Sequence, residues 1–340
     1  MEARFILNKE RLLEQYNVLK NLGLNVSYSY KTNRDVGNIL QDISDSEFSI
    51  HDVNEINFIK DKSKIWFFLQ ANPKEEIVFL LRLGVKHFVI DNELDLNSLL
   101  VTTDKKINIS IRMKFQEHRV GSGKYFVYGL PSEKVNSLIL KLKDNPLVDK
   151  LGVHLHRKSQ NTSEWNILSE LKDSLSHEAL DRINIINFGG GLPVEYKSYT
   201  SQVMPYIFAK LREAFDWLKA KNIKVYIEPG RFLAAPCIKL EAEIIQIYEN
   251  NIIINTTIYN SALDTILTNT KLLVQEELKD DQSGQDYLIK GNSPTRDDIF
   301  RYKVKLLSPK VGDKITFLNA GAYNYSTDFF GYKKLKTIIQ

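Results

Sequence analysis

The segment INIINFGGGLP, residues 183–193, decides the fold class of this chain. It joins an apolar run, residues 183–188, to three successive glycines and then a proline, a pattern typical of a buried strand followed by a tight turn. Successive glycines leave their backbone N–H groups open, so that a phosphate can approach them. A ligand-free turn between a strand and a helix needs the same residues, and both interpretations stay open at this point.

Strand and helix signals alternate on both sides of this segment. Short apolar runs predict eight strands, at residues 26–30, 48–51, 65–68, 87–90, 107–113, 150–154, 183–188 and 225–228. Amphipathic stretches predict helices at residues 10–22, 74–83, 132–142, 165–175 and 203–219. This alternation predicts an α/β fold with a parallel sheet, and eight strands predict a closed (β/α)₈ barrel like that of the TIM fold.

The pattern changes after Pro236. Residues 238–248, 252–259, 285–290 and 313–317 predict strands, with few convincing helices between them. We therefore expect a barrel over residues 22–235 and a smaller C-terminal β domain over residues 236–340. The N-terminal segment, residues 1–21, is expected to join the β domain, with residues 5–7 as one of its strands.

The composition excludes several classes of protein. Hydrophobic residues make up 43% of the 340, enough for a large core. The 46 basic and 42 acidic side chains are mixed along the chain, so we expect no nucleic-acid partner. No apolar run approaches transmembrane length and the N-terminus lacks an apolar signal core, so we expect no membrane partner and a cytoplasmic location. A single cysteine, Cys237, excludes internal disulfides and multi-cysteine metal sites.

A lysine follows the first predicted strand. The segment YSYKTN, residues 28–33, places Lys31 at the carboxyl end of that strand. In a parallel barrel these ends form the active-site face, where partial burial lowers the pKa of an amine and leaves it free to attack a carbonyl. Taken alone, one surface lysine among many is the more ordinary interpretation.

The last predicted barrel strand leads into EPGR, residues 228–231. A buried Glu228 beside a pyridine nitrogen would keep that nitrogen protonated, which makes the ring a stronger electron sink. Arg231 could bind a phosphate or a substrate carboxylate. A structural salt bridge at the end of a strand would use the same residues.

Two histidines, His154 and His156, alternate across one strand, so that both imidazoles point to the same side. Such a pair can bind a metal, but no third ligand stands nearby and we expect no metal site. A histidine that packs in the core or stacks on a ring is the better interpretation.

The order of these motifs is more specific than any one of them. Together they resemble the alanine-racemase-fold (fold type III) decarboxylases that depend on pyridoxal phosphate, the group that acts on ornithine, arginine, diaminopimelate or carboxynorspermidine. The segments that carry the resemblance are residues 28–33, 71–74 (ANPK), 152–160 (GVHLHRKSQ), 189–193, 228–231, and the ending 321–323 (GAY) with 329–331 (FFG).

The resemblance implies a role for each matching residue. Lys31 would hold the cofactor as a Schiff base, His156 would stack on its ring and Glu228 would pair with the pyridine nitrogen. The implied cofactor contacts are Lys31, His156, Ser159, Gly189, Gly190, Gly191, Glu228, Gly230, Arg231 and Tyr323. The resemblance also implies a head-to-tail homodimer with shared active sites and a small amino-acid substrate.

The chain departs from this family in the segment GNSPTRDD, residues 291–298. Here the family has a cysteine that is tied to reprotonation and an acidic residue that contacts the substrate's distal amine. Their places are taken by Pro294 and Thr295. The aligned positions Thr295, Arg296 and Asp298 are the candidate substrate contacts; Arg296 could meet an anionic distal group or be an exposed loop residue.

Two further departures lie near the predicted cofactor site. Ser49 stands where the family has an aspartate near the lysine, and Lys158 replaces a glycine. The hypothesis that follows is a decarboxylase of a diamino acid or a carboxylated polyamine, in polyamine or lysine biosynthesis. The alternatives are another reaction of the same cofactor, namely racemisation or decarboxylation coupled to transamination, and a non-catalytic regulator that resembles a decarboxylase.

Overall fold

The computed structural model describes residues 1–114, 128–324 and 331–340 of the chain. Over these residues the chain forms two compact units. One, the barrel unit, comprises Tyr16–Leu192 and Val203–Pro229; the other, the β unit, comprises Met1–Gln15, Pro193–Gln202 and Gly230–Gln340. The boundaries expected from the sequence, near residues 22 and 236, lie a few residues from these divisions. Residues 193–202 were expected in the barrel and belong instead to the β unit.

The barrel unit is built around a closed ring of eight strands. Each strand pairs in parallel with the next, and the last pairs with the first, where Tyr226 lies opposite Asn25. The predicted (β/α)₈ barrel is therefore confirmed. Its strands are β2 (Asn25–Ser29), β3 (Glu47–Ile50), β4 (Ile65–Leu69), β5 (His87–Ile90), β6 (Ile107–Arg112), β7 (Val148–His154), β8 (Ile185–Asn187) and β9 (Lys224–Ile227).

Helices connect the strands of the barrel. Side-chain caps start several of them; for example, Asn33 accepts from Val36 N at 3.2 Å and Asn92 accepts from Asp95 N at 3.0 Å. The helices up to β9 are α1 (Lys9–Asn21), α2 (Arg34–Ile43), α3 (Lys74–Arg82), α4 (Glu93–Thr102), α5 (Ser132–Leu142), α6 (Ile167–Ser174), α7 (His177–Leu180) and α8 (Met204–Lys219), with 3₁₀ turns at Tyr30–Thr32, Val53–Phe58 and Lys62–Lys64. No helix among the described residues is both long and apolar enough to cross a bilayer.

Inward-facing side chains fill the barrel. Trp66, Val89, Ile185 and Tyr226 form one buried cluster, and the rings of Trp66 and Tyr226 lie 4.8 Å apart. Because side chains alternate along a strand, residues two positions further on point into the same interior. The residues two positions beyond Ile185 and Tyr226, namely Asn187 and Glu228, therefore point inward at the carboxyl end of the barrel.

The β unit contains a mostly antiparallel sheet. Its strands are β1 (Arg4–Leu7), β10 (Ile238–Tyr248), β11 (Asn251–Ile254), β12 (Leu273–Val274), β13 (Gln285–Lys290), β14 (Ile299–Leu306), β15 (Lys314–Leu318) and β16 (Lys336–Ile339). The order is β12-β15-β10-β11-β13-β14. Strand β1 pairs antiparallel with β10 and parallel with β16, so the N-terminal residues join this sheet as expected.

One strand prediction in this unit was wrong at its end. Strand β11 ends at Ile254, and residues 258–261 form a helical turn instead of continuing the strand that was predicted to residue 259. Thr257 and Asn260 form a reciprocal capping box that starts this turn. The unit's short helices are α9 (Arg231–Ala234), α10 (Ile258–Ser261) and α11 (Asp264–Leu267).

Candidate active site

Polar side chains gather where the barrel strands end. Each lies within or just beyond the carboxyl end of its strand, the face where barrel enzymes place their active sites. They are Lys31 after β2, Ser49 and His51 at the end of β3, Arg112 at the end of β6, His154 at the end of β7, Asn187 at the end of β8 and Glu228 after β9.

Glu228 is the centre of this group. Its carboxylate is only 5% exposed and accepts three hydrogen bonds: from Ser49 Oγ at 2.7 Å and Asn187 Nδ2 at 3.0 Å on Oε1, and from His154 Nε2 at 2.8 Å on Oε2. Burial by itself would raise the pKa of Glu228, but His154 and the hydrogen bonds from His154 and Ser49 lower it to about 2. The group is therefore a buried anion at neutral pH.

Two buried hydroxyls act in series on this carboxylate. Ser49 donates its single hydrogen to Glu228, so Ser27 Oγ, 2.8 Å from Ser49 Oγ, must donate to Ser49. Such a chain polarises each bond and strengthens the last one. On the other side, Nδ1 of His154 is buried and has no hydrogen-bond partner among the described residues. Nε2 of His154 is the proton donor to Glu228, because a carboxylate can only accept.

Lys31 lies in a recess that solvent reaches but protein surrounds. Its side chain is exposed, yet the surrounding protein lowers the pKa of its ammonium group. The negative charge of Glu228 opposes this shift, and the positive charge of Arg112 adds to it. The fraction of Lys31 present as the free amine is therefore larger than for a lysine in water.

Two histidines face the same recess. His51 stacks on Phe68, with ring centroids 4.4 Å apart, and the surrounding protein together with the nearby charge of Lys31 lowers the pKa of His51 to about 3. The ring of His156 lies parallel to that of His154 at 6.5 Å. It is exposed to solvent at the recess, although the surrounding protein and Arg112 lower its pKa. Both rings are accordingly neutral at physiological pH.

The glycine loop after β8 has no room for side chains. Gly189 has φ +69°, and a Cβ there would lie 2.0 Å from the carbonyl oxygen of Leu155. A Cβ on Gly190 would lie 2.9 Å from the carbonyl oxygen of Glu228, and one on Gly191 would lie 2.9 Å from that of Lys158. Packing thus requires all three glycines, and the loop presents bare backbone at the barrel end. Ser159, also predicted to contact phosphate, is exposed in the segment after β7.

Arg231 and Tyr323 lie together within the β unit. The guanidinium of Arg231 binds Asp264 through both terminal nitrogens, one of them at 2.9 Å, and lies 4.7 Å from the centre of the Tyr323 ring. Gly230 precedes Arg231 at the start of α9. The sequence had singled out Arg231 and Tyr323 but had missed Asp264, whose partner is 33 positions away in the chain.

The segment 291–298 has a buried carboxylate at its end. Asp298 accepts from Ile258 N at 2.8 Å and from Ser293 N at 3.0 Å, and it is fully buried. It therefore fixes the loop, whereas Arg296 on the same loop is exposed and Thr295 is half-buried. The predicted motif residues 329 and 330 lie outside the described part of the chain.

Sequence reasoning missed Asn187 and Arg112 and overlooked His51. A signal for Asn187 was present, because the predicted strand 183–188 places it two residues after the inward-facing Ile185. Arg112 likewise lay at the carboxyl end of a predicted strand, where a charged residue is unexpected unless it serves the active-site face. Nothing in the sequence indicated that Ser49 and Asn187 share one carboxylate oxygen.

The residues at this barrel end fit pyridoxal phosphate. Glu228 is held as an anion that could face a protonated ring nitrogen, Lys31 supplies an amine for the aldehyde, and the glycine loop supplies bare backbone for the phosphate. A buried anion with three donors already fixed is a suitable partner for a ring N–H, because its remaining lone pair has a defined direction.

Comparisons with known proteins agree with this chemistry. Residues 11–235 match the family model of the pyridoxal binding domain of pyridoxal-dependent decarboxylases. Similar solved structures include a lysine decarboxylase from Selenomonas ruminantium (16% identity, TM-score 0.81, covering 99% of this chain and 92% of that one) and a lysine/ornithine decarboxylase from Vibrio vulnificus with putrescine (20%, 0.80, 99% and 94%). The arginine decarboxylase of Paramecium bursaria Chlorella virus is similar too (17%, 0.81, 100% and 96%). At these identities the structures establish the fold, and no curated protein matches the sequence.

Proposed function

The chain belongs to the pyridoxal-dependent decarboxylases, enzymes with pyridoxal phosphate as cofactor, and from this premise we propose that it decarboxylates a diamino acid or a carboxylated polyamine with the cofactor bound covalently to Lys31. The observation that carries the proposal is the buried Glu228 anion at the same barrel end as Lys31, an amine with a lowered pKa. When bound, pyridoxal phosphate supplies the electron sink that lets the bond between Cα and the carboxylate break.

The chain's own residues prepare this chemistry. Lys31 would hold the cofactor through its side-chain amine, and its lowered pKa makes the free-amine form available. Glu228 would keep the ring nitrogen protonated, because a carboxylate with a pKa of about 2 does not take that proton for itself. His156, neutral and facing the recess, is proposed to stack on the ring. The glycine loop and Ser159 are proposed to hold the phosphate.

The substrate class rests on the relatives. The Vibrio vulnificus enzyme was solved with putrescine and with cadaverine, and the viral enzyme with agmatine, which are small amines. We propose a substrate of this kind bearing a second polar group. The roles of Thr295, Arg296 and Asp298 in binding it remain predictions, as do those of Gly230, Arg231 and Tyr323 with the phosphate. Arg296 is exposed on its loop, so both of its interpretations, a contact to an anionic distal group and a solvent-exposed loop residue, stay predictions.

A second reaction of the same cofactor has one observation in its favour. The only thiol of the chain, Cys237, is buried and its pKa is raised to about 12, so no described cysteine is suited to deliver a proton after decarboxylation. Decarboxylation coupled to transamination does not need that proton at Cα. Product analysis separates the two, because CO₂ with a matching amine indicates simple decarboxylation and CO₂ with a carbonyl product indicates transamination.

The test uses protein reconstituted with pyridoxal phosphate. Borohydride reduction followed by peptide mass spectrometry should place the cofactor on Lys31, and a panel of diamino acids and carboxylated polyamines should yield CO₂ from one of them. Lys31→Ala should lose both signals, whereas Lys86→Ala, an exposed lysine just before β5, should keep them. Cofactor on another lysine, or CO₂ release that survives Lys31→Ala, would contradict the proposal. No binding at all would favour a non-catalytic regulator.

We also propose the head-to-tail homodimer with shared active sites. If a partner subunit completes each site, activity per subunit should fall as the protein is diluted below its dimer dissociation constant. Sedimentation and turnover measured over the same dilution series would check this. Constant activity in a fully monomeric sample would rule the shared site out.

A further inference from the structure

Asn187 makes hydrogen bonds both to the carboxylate of Glu228 and to the glycine loop after β8. Its side-chain Nδ2 donates to Glu228 Oε1 at 3.0 Å, and its Oδ1 accepts from the backbone N–H of Gly189 at 2.9 Å. Asn187 is fully buried at the end of β8, where the sheet register pairs it with His154, the other donor to Glu228 from a neighbouring strand. One amide group therefore contacts both the carboxylate proposed for the ring nitrogen and the first turn of the loop proposed for the phosphate.

We propose that Asn187 is a positioning residue that sets the direction of the Glu228 carboxylate and the conformation of the glycine loop together, so that the ring-nitrogen and phosphate ends of the cofactor site are held in one fixed geometry. This inference rests on the proposed function. It assigns Asn187 no contact with the cofactor, since the residue acts through Glu228 and Gly189.

Both partners fix the orientation of the amide. The Glu228 carboxylate can only accept and the Gly189 N–H can only donate, so Nδ2 must face the former and Oδ1 the latter. A flipped amide would place an oxygen against the carboxylate and an NH₂ group against an N–H. The flipped form would lose two buried hydrogen bonds and gain two like-sign contacts, which leaves one arrangement.

The glycine side of this connection tolerates little movement. Gly189 has φ +69° and its Cα packs so closely on the carbonyl oxygen of Leu155 that no Cβ fits. The backbone of Asn187 is itself tied to this neighbour, because its carbonyl accepts from Leu155 N at 2.7 Å. The amide thus lies between a rigid turn and a buried anion, and it transmits the position of one to the other.

The decisive substitution is Asn187→Asp, which keeps size and the acceptor for Gly189 but replaces the donor with a carboxylate. Two carboxylates about 3 Å apart in a buried site cannot both stay ionised, so one of them takes up a proton. We expect the dissociation constant of pyridoxal phosphate to rise about tenfold or more. We also expect the pH at which the visible absorbance of the bound cofactor changes to move. A variant that was only less stable would bind less cofactor, but the absorbance of the bound cofactor would change at the same pH as in the unaltered protein.

The matched control is Asn184→Asp, the same exchange just before the other end of β8. Asn184 is exposed and uses Oδ1 as an acceptor for Leu151 N at 3.2 Å, which an aspartate preserves. It should keep both the affinity and the absorbance profile of the unaltered protein. The double variant Asn187→Asp with Glu228→Gln reverses the direction of the bond, since the introduced glutamine amide can donate to the introduced aspartate while the hydroxyls of Ser49 and Ser27 turn round.

Without cofactor, Asn187→Asp should lower the unfolding temperature, and the double variant should recover it. Glu228→Gln alone is the fourth protein of this double-mutant cycle. Recovery, together with the shifted absorbance profile of the single variant, supports the inference. It is overturned if Asn187→Asp binds the cofactor like the unaltered protein with the same profile, or if the double variant is no more stable than the single one. If the unaltered protein binds no pyridoxal phosphate, the proposed function fails and the inference falls with it, a result distinct from normal binding by every variant.

Discussion

Ser49 lies near the carboxyl end of β3, and its hydroxyl donates to Glu228 from a fully buried position. We expect Ser49→Ala to raise the pKa of Glu228 and to lower the free energy of unfolding by about 1–3 kcal/mol, because a buried carboxylate loses a donor. Urea unfolding measures the change. Ser63→Ala is the matched control, since Ser63 donates to Asp61 at the same 2.7 Å but is exposed, and should cost about 0.5 kcal/mol or less. Equal losses from both variants would contradict this.

The low pKa of Glu228 also predicts a pH dependence of stability. The pKa falls from its ordinary value of 4.5 to about 2 on folding, so the unfolded chain binds this proton more readily than the folded one. The stabilisation is fully present above pH 4.5 and is lost as the pH falls toward 2. Glu228→Gln should flatten the stability profile in this window, as measured by urea unfolding at each pH. Glu133→Gln, at an exposed position of α5, should leave the slope unchanged.

The sequence predicted some of the polar side chains at the barrel end, but not Arg112 and not how the Glu228 carboxylate is held. Lys31, His156 and Glu228 follow from their places after predicted strands and from the ordered motifs. The bonds from Ser49 and Asn187 could not be predicted in the same way, because they depend on which strands face each other across the barrel interior. That geometry follows from closure of the whole ring and not from any local pattern.

At the scale of elements, the glycines of the loop after β8 are required because there is no space for a Cβ, more than because of the backbone conformation that glycine allows. Gly84 and Gly189 both have positive φ, but a Cβ on Gly84 meets nothing within 4 Å, whereas one on Gly189 meets the Leu155 carbonyl at 2.0 Å. We expect Gly84→Ala to cost about 1–2 kcal/mol from backbone strain. Gly189→Ala should cost clearly more and weaken pyridoxal phosphate binding. Urea unfolding and cofactor titration test the pair, and similar losses would show that strain alone explains both.

One of the helices that the sequence missed, α2, can be explained by its composition. Helix α2 contains Gly37, which lowers helix propensity and hid the element from pattern analysis. A Cβ at Gly37 would lie 2.4 Å from the Tyr30 ring, so packing next to Lys31 requires the glycine. Asn33 then starts the helix as its cap. By contrast, α5 matched its predicted bounds, because its apolar face repeats with helical period and nothing in its interior opposes the helix.

At the scale of the whole molecule, the chain has a single thiol. Cys237 is 2% exposed, and burial raises its pKa to about 12, so the reactive thiolate is scarce at neutral pH. We expect iodoacetamide to leave the native protein unlabelled and its activity intact, while the same reagent labels one site after denaturation. Mass spectrometry of both samples measures this. Labelling of the native protein with loss of activity would show that a thiol serves the reaction after all.

The pairing of β1 with both β10 and β16 bears on how a cell makes this protein. Residues 4–7 lie beside residues 336–339, so β1 can pair with β16 only after residue 339 has been synthesised. The barrel strands, in contrast, have all been synthesised once residue 227 has emerged. Until β16 has been synthesised, β1 has an unpaired edge, and such an edge is what a chaperone at the tunnel exit would have to shield.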